Sequence, residues 1–371
     1  MPISGNTFAG ARKPGSLSDC RLSFVHTLRA GMRSILPLLF IAPFARAHIA
    51  AWVKGMYCLN GTSGTDNQNT NDAVNPLYNL TKSDWWMHHN NKCDQFPPAP
   101  GDILDIPSGG NFTVELAENR AFTTLSYGGR FVTPWGDGKN HPDTYSITNL
   151  GDQPNPSNSG CLPSPNLHTQ NETMAAGTAF AISYQSELAK VTLENLVVFT
   201  VLYHTPFKRL ATYSVPAGMP SCPPEGCICT WLWVPNHCGQ PNIYMHPYRC
   251  KVSGATGTRQ LATAQPPVWC EDDETKCVKG AKQMIAWNQL DGNNVVLTGT
   301  QKDGDWKSPA YNMKMGFRNG AQTDIFKPET TTVPTLTPTP TTSKAVKTAL
   351  GCVSMTPVTL AKKHTNRRRG H

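Results

Sequence analysis

Residues 179–204 read AFAISYQSELAKVTLENLVVFTVLYH and contain two apolar runs, 179–185 and 196–204. Both runs have the length of a β-strand and are rich in β-branched and aromatic residues, which pack well on a pleated surface. A polar segment separates them. This pattern predicts two buried β-strands joined by a short connection, and it disfavours helices.

Similar runs occur on both sides of this stretch. They are FTVELA (112–117), AFTTLSY (121–127), TWLWV (230–234) and MIAWNQL (284–290), and the turn-forming segments between runs are YGGR (127–130), WGDGKN (135–140) and DGNN (291–294). Segments 60–76 and 151–168 are rich in Asn, Pro and Ser and predict long irregular loops. Strand-length runs with this punctuation predict an all-β sandwich rather than an α/β fold.

The net charge of the chain, +8, is concentrated at its ends. Residues 1–47 hold six Lys or Arg and one acid, and residues 327–371 hold eight and one, so residues 48–326 carry a net charge of −4. A nucleic-acid-binding domain would place basic residues within the folded module. We therefore expect no nucleic-acid partner.

The module 48–326 contains ten of the twelve cysteines. An even number of cysteines in a chain with an export signal predicts disulfides. A zinc finger is disfavoured because Cys227-Ile-Cys229 is C-x-C and no paired C-x₂-C is present. Four N-glycosylation sequons agree with the secretory route, at Asn60, Asn79, Asn111 and Asn171.

The segment 32–47, MRSILPLLFIAPFARA, has the features of a secretory signal peptide. A basic residue precedes a short apolar stretch, and Ala45-Arg46-Ala47 is a small-x-small cleavage site. Cleavage after Ala47 makes His48 the first residue. We interpret 1–31 as an upstream extension or a mis-called start. No later apolar run reaches the roughly 18 residues of a membrane span, so we expect none.

The sequence changes composition after Phe326. Residues 327–343 include the Thr/Pro-rich segment ETTTVPTLTPTPTTS and are interpreted as a linker. Residues 344–371 are interpreted as a basic disordered tail, because their apolar content is too low for a folded domain. The basic end also lacks the hydrophobic tail of a GPI signal.

An N-terminal histidine offers two nitrogens to one metal, its α-amine and a ring nitrogen. A second histidine would complete a T-shaped set of three nitrogens, and tetragonal nitrogen coordination favours Cu(II). The residue types alone do not decide which histidine this is. The candidates are His88, His89, His141, His168, His204, His237 and His246.

Ten segments in consistent order resemble fungal lytic polysaccharide monooxygenases of auxiliary activity family 14. They are HIAAWVKGMY (48–57), LYNLTKSDWWMH (77–88), FPPAPGDILDIPSGG (96–110), VELA (114–117), LHT (167–169), AISY (181–184), MPSCPPEGCICTWLWV (219–234), IYM (243–245), GAKQ (280–283) and NGAQTDIF (319–326). The resemblance covers the module 48–326. It implies an immunoglobulin-like or fibronectin-type β-sandwich, stapled by disulfides, with one copper on an exposed face.

The resemblance also implies the copper ligands. His48 matches the N-terminal histidine, His168 in LHT the second histidine, and Tyr244 in IYM the axial tyrosine. Related enzymes have Gln two residues before this tyrosine, where it can hydrogen-bond bound oxygen species. Here that position is Asn242, which keeps the amide but is one methylene shorter.

By the same resemblance, three disulfides are expected. They pair Cys222 with Cys227, Cys229 with Cys250 and Cys270 with Cys277. For Cys58, Cys93, Cys161 and Cys238 three pairings stay open.

The implied function is a secreted, extracellular enzyme that cleaves polysaccharide oxidatively. It would use O₂ or H₂O₂ and an external electron donor, act as a monomer, and attack insoluble xylan lying on cellulose. The alternatives are a non-enzymatic copper-binding or scavenging protein, a hydrolase with paired carboxylates, and a metal-free carbohydrate-binding sandwich. Tyr244 and the missing anchor signal favour the enzyme over the scavenger.

Overall fold

The computed structural model describes residues 48–152, 160–236 and 238–328. Nine β-strands lie in these ranges. They are β1 (Ala50–Trp52), β2 (Leu104–Pro107), β3 (Asn111–Ala117), β4 (Thr178–Ser183), β5 (Val197–Leu202), β6 (Leu210–Ser214), β7 (Cys227–Trp233), β8 (Tyr244–Ser253) and β9 (Gly320–Ala321). The expected signal peptide, most of the Thr/Pro linker and the basic tail lie outside the described residues.

The strands form two sheets. One has three strands in the order β1-β3-β6, and the other has six in the order β2-β8-β7-β4-β5-β9. All neighbouring strands are antiparallel except the β2–β8 pair, which is parallel. The prediction of an all-β sandwich is confirmed.

Aromatic side chains fill the core between the two sheets. Phe112 on β3 meets Phe180 on β4 edge to face, with ring centroids 5.0 Å apart, and stacks on Tyr213 of β6 at 5.5 Å. Trp231 on β7 is also buried in this core and donates from Nε1 to the Tyr213 hydroxyl at 3.2 Å. Buried aromatic contacts of this kind stabilise the packing beyond the area that they remove from water.

The outer face of the six-stranded sheet is buried as well. Its alternate residues, such as Ala181, Val198 and Leu232, pack against the segment that contains Met284 and Ile285. Strands buried on both faces need apolar residues at successive positions, since neither face meets water. This explains why β4, β5 and β7 appear as continuous apolar runs in the sequence.

Two of the predicted strands are wrong. Residues 121–127 form short 3₁₀ turns and bends, beginning where the Asn119 side chain accepts a hydrogen bond from the Ala121 amide. Residues 284–290 form no strand and cover the outer face of the large sheet. A short apolar run favours burial, but it does not show that the segment pairs with a strand, and within 121–127 the side chains of Thr124 and Tyr127 are exposed.

Helical structure in the described residues is limited to short segments. One α-helix, α1, spans Lys82–Trp85. The 3₁₀ segments are Asp72–Val74, Trp86–Asn91, Cys93–Gln95, Arg120–Phe122, Tyr127–Gly129, Glu172–Met174, Leu188–Lys190, Glu274–Lys276 and Met313–Met315. None of the helices within the described ranges has the length and apolar character needed to cross a membrane.

Five disulfides connect the described cysteines. Three are Cys222–Cys227, Cys229–Cys250 and Cys270–Cys277, the pairs that the resemblance implies. The other two are Cys58–Cys93 and Cys161–Cys238, which settle the pairing that the sequence left open. The Cys229–Cys250 bridge joins β7 to β8, and the Cys161–Cys238 bridge joins two loops that meet beside His168.

Candidate metal centre

The side chains of His48, His168 and Tyr244 each place one potential metal-binding atom at the same location. The Tyr244 hydroxyl lies 2.8 Å from His48 Nδ1 and 3.3 Å from His168 Nε2, and the two ring nitrogens are 3.5 Å apart. The two imidazole rings are nearly parallel, with an interplanar angle of 13°. Two imidazole nitrogens and one phenol oxygen therefore lie around a common point, although His48 and Tyr244 are 196 positions apart in the sequence.

The backbone around residue 238 fixes the orientation of His168. The Nδ1 atom of His168 donates to the carbonyl of Cys238 at 2.5 Å, so its Nε2 atom keeps the lone pair that a metal needs. Gly239 approaches so closely that a Cβ there would lie 2.7 Å from His168 Nδ1. His168 itself has a φ of 45°, a conformation that is costly for a residue with a side chain and is frequent at functional sites.

Strand β7 supports Tyr244. Trp233, the last residue of β7, pairs with Tyr244, the first residue of β8. The two rings stack with centroids 4.4 Å apart, and the Trp233 ring meets the His168 ring edge to face at 5.4 Å. Sequence reasoning missed this role of Trp233. The i, i+2 spacing of Trp231 and Trp233 in TWLWV is compatible with one shared face of a strand, but it does not identify a partner for either side chain.

Burial keeps both side chains in their neutral forms. It lowers the pKa of His168 from its usual value, against the opposing effect of the Cys238 carbonyl. It raises the pKa of Tyr244 well above 10. A neutral imidazole is the form that binds metal, so the environment of His168 suits a ligand.

Asn242 lies two residues before Tyr244 and is completely buried. Its amide atoms make no hydrogen bond of standard geometry among the described residues, but the amide interacts with the Tyr244 hydroxyl and lowers the pKa of that group, against the larger effect of burial. Because side chains alternate along an extended segment, Asn242 and Tyr244 share a face. A buried amide with unfilled hydrogen-bonding capacity is costly unless a water or a ligand satisfies it.

The structure separates most of the other histidines from this point. His88 and His246 form a second buried pair, with ring centroids 5.5 Å apart. Burial, followed by the charge of His88, lowers the pKa of His246 to about 3. His141 pairs with Asp137 at 2.8 Å, and exposed His204 lies 3.1 Å from the carbonyl of Thr173. His237 lies outside the described residues.

The donor set is compatible with copper but not with a site built from side chains alone. No group of three or more His, Cys, Asp or Glu within the described ranges has the arrangement of a metal site. Two imidazoles and a phenol leave one strong ligand missing, and an α-amine on His48 would supply it. Imidazole-rich tetragonal sites with a weak axial oxygen are typical of copper.

The four sequon asparagines lie at or near the surface. Asn60, Asn79 and Asn111 are exposed, and Asn171 is half-buried. Two of these side chains already have partners, since Asn60 Oδ1 accepts from Arg120 and Asn171 Oδ1 accepts from the Met174 amide.

Glu118 is a half-buried residue whose carboxyl lies close to the loop that carries His168. It accepts a hydrogen bond from the Asn166 amide at 2.9 Å. Burial is the largest effect and raises the pKa of Glu118 to about 7. The hydrogen bond from the Asn166 amide and the charge of Lys139 lower this pKa, whereas the charge of Asp137 raises it further. The folded protein therefore binds this proton more tightly than the unfolded chain does.

We expect the substitution Glu118→Gln to change how stability depends on pH. In the wild type, the free energy of unfolding should fall between pH 4.5 and about 7, because the folded state must give up a proton that the unfolded state has already lost. The variant should lose this contribution and be more stable at pH 8 by on the order of 2 kcal/mol. Urea unfolding of both proteins at pH 4.5 and 8 measures the effect. Equal pH dependence in the two proteins would contradict it.

A fold of two packed β-sheets with two histidines and a tyrosine around one point is the architecture expected of a mononuclear copper oxidase of polysaccharides. The family model of lytic polysaccharide monooxygenase AA14 matches residues 32–369. This chain belongs to the AA14 family of lytic polysaccharide monooxygenases.

Individual relatives agree with this assignment. The chain is 37% identical over 301 residues to AA14 family lytic polysaccharide monooxygenase B of Talaromyces rugulosus, covering 79% of this chain and 97% of the relative. It is 33% identical over 314 residues to the protein of the same description from Pycnoporus cinnabarinus, covering 79% and 76%. A third relative, AA14 family lytic polysaccharide monooxygenase A of Trametes coccinea, is 30% identical over 311 residues, covering 81% and 66%.

Family membership decides between the functions left open by the sequence. The protein is a copper-dependent monooxygenase that cleaves polysaccharide, as predicted, and not a copper scavenger, a hydrolase or a metal-free binding module.

Proposed function

We propose that this enzyme binds one copper through His48, His168 and Tyr244 and cleaves xylan associated with cellulose outside the cell. The observation that carries the copper site is the convergence of His48 Nδ1, His168 Nε2 and the Tyr244 hydroxyl within 3.5 Å of one another. Removal of the leader after Ala47 would free the α-amine of His48. The amine and Nδ1 of one residue would then chelate the metal together.

The residues around the site have separate tasks. Bound copper supplies one-electron redox chemistry with O₂ or H₂O₂, using electrons from an external donor. The Cys238 carbonyl holds His168 in the tautomer whose Nε2 can bind metal. Trp233 packs against both His168 and Tyr244 and limits their movement. The buried amide of Asn242 offers a donor and an acceptor to a water or to the oxygen co-substrate, as the glutamine of related enzymes would.

Secretion is supported by the covalent chemistry of the module. Five disulfides persist only in an oxidising compartment. Three exposed sequon asparagines are accessible to glycosylation. The leader 32–47 provides the route, and we expect a soluble extracellular monomer without a nucleic-acid partner.

The choice of xylan on cellulose rests on the family resemblance of the sequence. Mass spectrometry of soluble products from xylan-coated cellulose, with copper and a reductant present, tests it. We expect oxidised xylo-oligosaccharides. Products that derive only from cellulose or chitin would contradict the proposed substrate, and no oxidised product from any polysaccharide would contradict the proposed function.

Two histidine variants provide the matched controls for this assay. His168→Ala should abolish the oxidised products because it removes a proposed ligand. His204→Ala should leave them unchanged, because His204 is exposed and contacts the Thr173 carbonyl away from the site. Equal activity of the two variants would exclude His168 as a ligand.

A further inference from the structure

Trp306 is the most exposed aromatic side chain among the described residues, with 75% of its surface accessible. Its backbone is nevertheless ordered by a hairpin. Trp306 forms a β-bridge with Thr300, and the Lys307 amide donates to the Gly299 carbonyl at 3.0 Å. The indole is therefore exposed to solvent while its backbone is already ordered. Because the backbone does not need to be ordered on binding, less conformational entropy is lost when the indole contacts a ligand.

A cavity of about 290 Å³ adjoins Trp306. Its lining combines two indoles with uncharged polar groups, and Lys307 is its one charged residue. The lining residues that matter here are Trp287, Trp306, Gln240, Asn288 and Ser308. Aromatic faces together with amides and hydroxyls suit a neutral ligand that has both apolar and hydroxylated surfaces.

The cavity lies beside the loop that supports the proposed copper site. Cys238 and Gly239 line it, and these are the residues that hold His168 through the Cys238 carbonyl and through close backbone approach. Two other lining residues, Asn288 and Ser308, form hydrogen bonds with the segment 235–241, which contains Cys238 and Gly239. Asn288 Nδ2 donates to the carbonyl of Pro241 at 2.9 Å, and Ser308 Oγ donates to the carbonyl of Pro235 at 3.3 Å.

We propose that this cavity is a sugar-binding subsite, in which one pyranose unit of the polysaccharide stacks on the indole of Trp306. The C–H face of a pyranose is apolar and its edge carries hydroxyls, which matches an indole above amide and hydroxyl groups. This inference rests on the proposed function, because it assumes that the polysaccharide bound in the subsite extends to the copper at His168.

Binding of xylan-coated cellulose by three variants tests the subsite. In a sedimentation assay, Trp306→Ala should bind about tenfold more weakly than the wild type, a loss typical of an exposed aromatic anchor. Trp306→Phe should retain most of the binding because it keeps a flat apolar face. Leu210→Ala is the matched control, since Leu210 is 58% exposed on β6 and does not line the cavity. It should bind as the wild type does.

Three further readouts separate subsite failure from misfolding and from failure of the proposed function. Thermal unfolding and copper affinity of Trp306→Ala should match the wild type, while its yield of oxidised oligosaccharides falls with binding. Oxidised products from the wild type with unchanged binding by Trp306→Ala would overturn the subsite alone. A wild type that binds polysaccharide through Trp306 but yields no oxidised products would leave the subsite standing and overturn the proposed function. A wild type that binds no polysaccharide, or that dimerises through Trp306, would overturn the subsite.

Discussion

A protein with one extra residue before His48 is expected to lose nearly all polysaccharide oxidation. The added residue converts the α-amine of His48 into an amide, which is a poor metal ligand at neutral pH. His48 Nδ1, His168 Nε2 and the Tyr244 hydroxyl stay in place, but the chelate ring through the amine is gone. Mutation of a residue that merely hydrogen-bonds to a metal ligand lowers metal affinity by about 10–100-fold. Loss of a ligand should lower it by more than about 100-fold.

The comparison needs two proteins that differ only at the first residue. One is produced with cleavage directly before His48, and the other with a single additional glycine. Isothermal titration with Cu(II) gives the affinities, and product analysis gives the activities. Thermal unfolding without copper should be the same for both, because the extra residue lies outside the packed strands. Normal oxidation by the extended protein would show that the amine is not a ligand.

Removal of the Cys161–Cys238 bridge is expected to lower both stability and copper affinity. This bridge closes a loop of 77 residues, whereas Cys222–Cys227 closes one of 5. Chain-entropy arguments give about 4 kcal/mol of stabilisation for the longer loop and about 2 kcal/mol for the shorter one. Only the longer one holds the Cys238 carbonyl that accepts from His168 Nδ1. A freed carbonyl should therefore reduce copper affinity by about tenfold.

The double variants Cys161→Ala/Cys238→Ala and Cys222→Ala/Cys227→Ala form the matched pair. Urea unfolding reports the two stabilities, and copper titration reports the two affinities. The first variant should lose more of both, and the second should keep wild-type copper affinity. Equal copper affinity in the two variants would show that the bridge at Cys238 does not position His168.

The sequence predicted the sandwich because its central strands are buried on both faces. The runs at 179–185, 196–204 and 230–234 are continuously apolar and correspond to β4, β5 and β7. The same criterion failed at 121–127 and 284–290. Residues 284–286 are apolar because they are buried against the large sheet, and residues 121–127 are only partly buried; neither segment pairs with a strand. Pairing is a property of the tertiary structure, and local periodicity does not contain it.

The copper site was predictable from the sequence only in part. A leader that ends before His48 pointed to an N-terminal ligand, and the family resemblance at LHT (167–169) singled out His168, although residue type alone did not distinguish it from the other histidines. The structure adds three physical features that a local sequence pattern does not contain. They are its positive φ, its hydrogen bond to the Cys238 carbonyl and its contact with Trp233. The position of the Asn242 amide, buried beside Tyr244, likewise becomes evident only in the structure.

Electron paramagnetic resonance of the Cu(II)-loaded protein, with His48 as its first residue, tests the copper site most directly. We expect one copper per chain, an axial signal, and hyperfine coupling to three nitrogens: the amine, His48 Nδ1 and His168 Nε2. In His168→Ala the number of coupled nitrogens should fall to two. A signal that is identical in the wild type and in His168→Ala would contradict the proposed site.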